Sequence, residues 1–551
     1  MTVTRSATTA DSPSGIAFID RQLTIAGEPF LILGGELHNS SSSVKERLDA
    51  RWPQLKELGL NTVLAAVTWE MIEPEEGVFD FLSVDFLLEG AREHGFKLVP
   101  LWFASWKNGL SSYRPAWVKR DPERFPLARD RSGAPLQVLS VFASETRDAD
   151  ARAFAALMRH IREMDSDHKT VIMVQVQNEV GILGASRDHT QQAVDAYEAP
   201  VEQVFIDALS RNRETLRESI SSALDSIVEA NGKSWAEVFN DSLDTDELFQ
   251  ALGYARYIDQ VAAAGRAEYE VPYFVNAWLD SADLTPEVSN FAPVGGQFPG
   301  NYPSGGPLPQ VFPAWLFGTQ NLTMLTPDIY WGDFADWCRL YSSANEAFFI
   351  PEMGKSAKDI AGIHVAIGSF GAIGTSPFGV DGIDDEYPRE DKELLAGTYR
   401  ALGNISGLIL SGQRRNEIVG FHLTATRPEV TTQFGGYTLR IRRDMDSGNM
   451  PPLFPDAWGL VTTDGDGGFI GTGAGFMVAF ESLTKGRMAA LRYVHSGAFS
   501  DGAWHADQIL NGDETVSGEF WRFPYLSGIP GASFGEAFPT VRILRCGVYE
   551  Y

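Results

Sequence analysis

The chain has 551 residues, 44% hydrophobic and 21% charged, a length that asks for two or three domains with sizeable cores. Its formal net charge of −28 repels phosphate backbones and anionic lipids, so nucleic-acid and membrane-surface partners are not expected. Two cysteines, Cys338 and Cys546, allow no disulfide framework beyond one bridge and no zinc spacing, and are read as buried free thiols.

Residues 1–15 (MTVTRSATTADSPSG) hold one Arg and no apolar run, so they are read as a short disordered lead and not as a signal peptide. No run of about 18 apolar residues occurs, so no membrane span is expected and the cytoplasm is the default compartment. A hairpin is predicted over 16–25. Residues 30–36 (FLILGGE) follow as a strand buried on both faces that ends in a polar cluster. An amphipathic helix is predicted over 44–58, stopping at Gly59, then a strand over 62–67 and a helix over 81–94, stopping at Gly95. A strand over 97–103, a helix over 149–164 and a strand over 170–176 continue the alternation, which is that of a parallel α/β fold.

Residues 195–265 read as several inserted helices. Further strands are predicted at 272–275, 324–329, 347–350 and 366–373, and a last helix over 393–410. Eight strands in roughly 400 residues predict an α/β fold of the (β/α)8 TIM-barrel type over 16–411, with an open doubly wound sheet ranked second. A second insertion, 281–322, is rich in Pro, Gly and aromatic residues. It follows the fifth strand, which places it at the catalytic face of a barrel. From 412 to 551 the pattern changes: strands at 420–426, 435–442, 475–480, 488–494 and 539–549 alternate with Gly- and Asp-rich turns, and a smaller β-sandwich-like domain is expected.

Two of the predicted barrel strands end in a lone carboxylate. Val174-Gln175-Val176-Gln177-Asn178-Glu179 closes the fourth, and Phe348-Phe349-Ile350-Pro351-Glu352 closes the seventh. Burying a carboxylate is costly unless it is paired or hydrogen-bonded, and polar residues at the carboxyl ends of barrel strands face the active site. Each taken singly has a bland reading as a helix cap. Together they lie on strands that face each other across a closed barrel. Two opposed carboxylates are the minimum machinery for glycoside cleavage, one protonating the leaving oxygen and the other attacking the anomeric carbon.

Here the sequence resembles the clan-A glycoside hydrolases, and among them the family 35 β-galactosidases. The motifs are Asn178-Glu179, Glu352, the first-strand Gly34-Gly35-Glu36-Leu37-His38 and the segment Trp69-Glu70-Met71-Ile72-Glu73-Pro74-Glu75-Glu76-Gly77-Val78-Phe79-Asp80-Phe81. The loop Trp106-Lys107-Asn108-Gly109 with Pro115-Ala116-Trp117 adds to them. The resemblance covers about residues 20–410. It implies a retaining exo-acting double displacement with Glu179 as acid/base, Glu352 as nucleophile and Asn178 on the sugar 2-hydroxyl. The departures are Asn39 after His38 where an aromatic is usual, Val180 where Tyr is usual, and no Glu-Trp pair in the third loop. The resemblance makes a β-galactoside the first candidate substrate, and the departures fall at positions that shape the sugar subsite. Arabinopyranosides, fucosides, glucosides and furanosides stand as alternatives, and a non-catalytic carbohydrate-binding barrel is a weaker one.

Location adds substrate-binding candidates: Glu36 at the end of strand one and His38 just beyond it, Trp69 and Glu70 at the end of strand two, Trp106 after strand three, Asn276 and Trp278 at strand five, and Tyr330 and Trp331 at the end of strand six. For each Trp, core packing is at least as good a reading as stacking on a pyranose. No metal and no cofactor are expected: Gly354-Lys355-Ser356 lacks the first P-loop glycine, no H-E-x-x-H occurs, and the acidic runs 244–247 and 384–386 are read as solvated surface. The expected partner is a small carbohydrate, and a homo-oligomer is compatible with the sequence.

Overall fold

A computed structural model of the chain describes residues 14–227, 232–281, 296–382, 388–444, 456–524 and 541–551. Most of the predicted lead, part of the 281–322 insertion and the acidic run 384–386 lie outside the described residues. The chain packs as two compact units, one of residues 1–28, 36–52 and 62–352, the other of 29–35, 53–61 and 353–551.

Eight strands close into a parallel barrel. They are β1 (Ile32–Glu36), β2 (Thr62–Thr68), β3 (Lys97–Lys107), β4 (Val174–Asn178), β5 (Tyr273–Trp278), β6 (Met324–Ile329), β7 (Phe348–Met353) and β8 (Ala372–Pro377). Apart from Lys97 and Trp278, every strand residue is buried, which is why the sequence shows continuous apolar runs and not alternation. In the β2–β3 ladder Thr62 faces Lys97 and Thr68 faces Phe103.

Four expectations need correction. The eighth strand, predicted over 366–373, is Ala372–Pro377. Residues up to Phe370 belong to the helix Ala357–Phe370, whose interior is buried over Ile360–Gly368. A helix buried that widely shows no amphipathic period, so the run cannot be told from a strand by pattern alone. The single last helix is two, Arg389–Asn404 and Ser406–Arg415, and the 44–58 helix is likewise two, Lys45–Asp49 and Trp52–Glu57. The acidic run 244–247 is not solvated surface. Asp246 and Glu247 are buried, Asp246 accepting from Arg187 Nε at 2.8 Å and Glu247 from the Tyr302 hydroxyl at 2.9 Å.

In the larger unit, the described residues of the first insertion form five α-helices, ending in the long Leu243–Glu268. In the second insertion the stretch around Ser304 meets the loop after β4, where Ile182 and Ser304 exchange backbone hydrogen bonds of 3.0 and 2.9 Å. Gly181, at φ +143°, permits this approach, since a Cβ there would lie 2.4 Å from the Pro303 carbonyl carbon.

In the smaller unit, strands β9 (Ile418–Leu423), β12 (Ala457–Thr463), β13 (Gly468–Ala474), β15 (Ala489–Ser500), β16 (Ala503–Leu510) and β18 (Arg542–Glu550) form one antiparallel sheet. Strands β10 (Glu429–Phe434), β11 (Tyr437–Arg443), β14 (Phe476–Ser482) and β17 (Trp521–Phe523) form another. Phe421, Val461 and Leu544 of the first join Ile441, Phe476, Trp521 and Phe523 of the second in one core. Each such fully buried Phe contributes about 1.5–3 kcal/mol. Cys338 and Cys546 are free and buried.

Candidate active site

The carboxyl ends of β1, β3, β4, β5, β6 and β7 deliver Glu36, Lys107, Asn178 with Glu179, Asn276 with Trp278, Asp328 and Glu352. Each strand has an apolar body that fixes its place in the barrel wall and a polar terminus left at the rim. In the ladders Lys107 lies opposite Asn178, and Trp278 opposite Asp328.

Glu179 is 6% exposed and sits at φ +43°, with Gln177 at φ +65°. Left-handed backbone at a non-glycine residue costs about 1–3 kcal/mol and persists only when its surroundings hold it. Here the Glu179 N–H donates to Asn276 Oδ1 at 2.9 Å, and its carbonyl accepts from the Gly109 N–H at 3.0 Å. Asn276 Nδ2 donates to Asp328 Oδ2 at 2.6 Å, so one amide ties the acidic residue of β4 to that of β6. On the other side the Tyr330 hydroxyl donates to Glu352 Oε1.

Burial first, and then the Glu352 carboxylate, raise the Glu179 carboxyl to about 8, against Lys107 and a hydrogen bond with Asp328, which pull it down. Burial, then Glu352, also holds the Glu36 and Asp328 carboxyls well above the usual range. Burial alone would lower the Lys107 ammonium. Glu352, Glu179, Glu36 and Asp328 outweigh it and raise Lys107 instead. Burial and the Glu352 carboxylate raise the Tyr330 hydroxyl, keeping it a donor.

Among the described residues, Glu36 Oε1, both amide atoms of Asn178, Trp278 Nε1, Asp328 Oδ1, Trp331 Nε1 and Glu352 Oε2 are buried with no protein partner. Folded proteins leave few such atoms, and several at one rim, donors and acceptors mixed, suit a ligand dense in hydroxyl groups. Among the described residues no His, Cys, Asp and Glu group is arranged to hold a metal ion.

Not every sequence candidate reaches this rim. Trp69 is fully buried and donates to Glu73 at 2.8 Å. Trp106 is fully buried, donates to the Leu139 carbonyl at 3.2 Å and packs edge-on against Tyr254 and Tyr257. Both are core residues, because an indole at a strand end can turn into the helix layer as readily as toward the barrel axis. Glu70 is 41% exposed and pairs with Lys119 at 3.1 Å. His38 is half-buried beyond β1. Lys107 and Asp328 were missed as site residues, although a lysine ending an apolar run and an aspartate inside one are both signals of a costly, purposeful burial.

Comparison with known proteins points to the glycoside hydrolases. Residues 39–241 match the glycoside hydrolase family 42 model, described as "Beta-galactosidase", and residues 395–522 match a domain of unknown function, DUF5597. An exo-β-D-glucosaminidase of Thermococcus kodakarensis is 33% identical over 144 residues, covering 22% of this chain and 18% of that protein. A β-galactosidase of Xanthomonas manihotis is 29% identical over 177 residues, covering 30% and 26%. The chain thus aligns with about a fifth to a quarter of the length of these curated relatives. Among solved structures, a β-galactosidase from the psychrophilic Marinomonas ef1 superposes with a TM-score of 0.43 at 12% identity, covering 69% of this chain and 61% of that one. No helix of the described residues is long and apolar enough to cross a membrane.

Proposed function

We propose that this chain is a retaining, exo-acting β-glycosidase, with a terminal β-galactoside as the first candidate substrate. The observation that carries the reading is the asymmetry of the two glutamates. Glu179 is held protonated near neutral pH, beside a Glu352 that accepts a hydrogen bond from Tyr330. A general acid needs a raised carboxyl, and a nucleophile needs a carboxyl that is held in place with one oxygen left without a protein partner.

In the first step Glu352 attacks the anomeric carbon. The glycosidic C–O bond breaks as Glu179 gives its proton to the leaving oxygen, and a glycosyl ester remains on Glu352. In the second step a water attacks the same carbon. Glu179 takes the water's proton, and Glu352 departs as a carboxylate. In this reading Asn178, whose two amide atoms are buried without a protein partner, binds the sugar 2-hydroxyl. Lys107 balances the charge that moves between the glutamates.

The family 35 resemblance and the family 42 match both support a clan-A machine. They leave the sugar to the rim residues. The relatives matched carry names for two sugars, galactose and glucosamine, so the same machinery on another pyranoside is the second reading. A panel of nitrophenyl glycosides separates the two readings. Turnover of the β-galactoside above all others is the expected result, and a stronger second sugar would move the assignment. Glu352→Gln is expected to abolish turnover of every member while the protein stays folded.

A further inference from the structure

Asp150, in the helix Ser144–Asp165, is fully buried outside the carboxylate cluster, and the mechanism above does not use it. Four donors converge on its two oxygens. Trp102 Nε1 donates to Oδ1 at 2.8 Å. Ser105 Oγ at 2.6 Å, Gln177 Nε2 at 2.7 Å and the Tyr257 hydroxyl at 3.3 Å all reach Oδ2. Trp102 and Ser105 belong to β3, Gln177 to β4 and Tyr257 to the helix Leu243–Glu268.

Gln177 is the informative member. Its Oε1 accepts the Trp106 N–H at 3.1 Å, so its amide is fixed at both ends, and its carbonyl accepts from Gln175 Nε2 at 3.1 Å. Its φ of +65° is the first of the two left-handed positions, Gln177 and Glu179, at which the chain leaves the extended path at the end of β4. A strand that bends this way must be held, because an extended strand is otherwise the lower-energy path for a glutamine. The Asn276 contact holds the chain at Glu179; the Asp150 contact holds it two residues earlier, from the side of the helix layer.

We propose that Asp150, acting through Gln177, is a positioning residue that sets where the Glu179 carboxyl stands relative to the leaving oxygen. The inference rests on the acid role assigned to Glu179. A carboxylate suits this role because it accepts all four donors at once, whereas an asparagine amide would present two hydrogens to them. Displacing an acid by about 1 Å can cost on the order of a hundredfold in rate.

The loss should depend on the leaving group. A dinitrophenyl glycoside departs without protonation, whereas a disaccharide cannot. The experiment measures kcat/KM for Asp150→Asn, Gln177→Leu and the control Glu179→Ala on both substrates, using the sugar preferred in the nitrophenyl panel. Thermal unfolding of each variant is recorded alongside. We expect roughly a hundredfold loss on the disaccharide and less than about threefold on the dinitrophenyl glycoside for the two positioning variants, in the pattern of Glu179→Ala. Equal losses on both substrates, or no loss on either, would overturn the proposal and leave Asp150 a core residue. Should Asp150→Asn fail to fold, Gln177→Leu decides, since Asp150 then keeps three donors. If Glu179→Ala itself shows no dependence on the leaving group, the acid assignment fails first and this inference falls with it. A normal control with uniform losses in the other two removes the inference alone.

Discussion

The Tyr330 hydroxyl donates a hydrogen bond to Oε1 of Glu352, while Oε2 of the same carboxylate is buried without a protein partner. One oxygen is thus oriented and the other left available to attack. Replacing Tyr330 by Phe removes the orienting bond and little volume. We expect kcat to fall about ten- to a hundredfold, in line with loss of one charge-assisted hydrogen bond of about 1.5–3 kcal/mol, and thermal stability to fall as well, because Glu352 Oε1 loses its partner in a buried site. Steady-state kinetics alongside a melting curve check this. An unchanged kcat would mean that the tyrosine does not orient the nucleophile.

Lys107 faces four carboxylates, and its charge lowers Glu179 from a position set mainly by burial and then by Glu352. Lys107→Met removes that opposing effect, so Glu179 should hold its proton to higher pH. The alkaline limb of kcat/KM, which follows loss of the acid's proton, is expected to move upward, and overall activity to drop because the glutamate left ionised loses its counter-ion. A limb that stays in place or moves down would contradict the assigned electrostatics.

The same group makes the folded state sensitive to alkali. Glu179 is raised from 4.5 to about 8, so its contribution to stability is fully present below about 4.5 and is lost as pH rises through about 8. Glu36 and Asp328 are raised too and act in the same direction. Glu179→Gln deletes one titration, and the fall in melting temperature between pH 6 and pH 9, roughly the window this linkage predicts, should become shallower. Parallel curves for the two proteins would count against a buried, protonated Glu179.

Asn276 joins the Glu179 backbone to the Asp328 carboxyl through its two amide atoms. Asn276→Ala leaves a buried N–H and a buried carboxyl oxygen unpaired, a cost of about 1–3 kcal/mol each. Both stability and kcat should fall. Denaturant titration measures the first and turnover of a disaccharide the second. A stable variant with full activity would show that the left-handed turn at Glu179 needs no support from β5.

Much of this molecule is legible in the sequence, for a physical reason. Strands buried on both faces read as continuous apolar runs, so Phe348 to Ile350 followed by Glu352 marks a strand end whose carboxylate must have a purpose. The same property hides the eighth strand, because the buried helix Ala357–Phe370 is as continuously apolar as a strand. The polar rim is read less well. Asn178 and Tyr330 stand out by position, whereas Lys107 is masked because β3 runs on to Lys107, beyond the strand end predicted at residue 103. Trp69 and Trp106 show the opposite failure: a strand-end indole carries no sign of which way it turns, and both turn into the core. Asp150 lies 29 residues from Glu179 in the chain, and no local pattern links them.

The central claim is that Glu352 forms a covalent bond with the sugar while Glu179 serves as acid and base. Incubation with a 2-deoxy-2-fluoro glycoside of the preferred sugar slows release of the intermediate, and peptide mapping then locates the added mass. The predicted result is one sugar on the peptide containing Glu352, and a first-formed hydrolysis product of retained anomeric configuration. A label on another residue, or a product of inverted configuration, would contradict it.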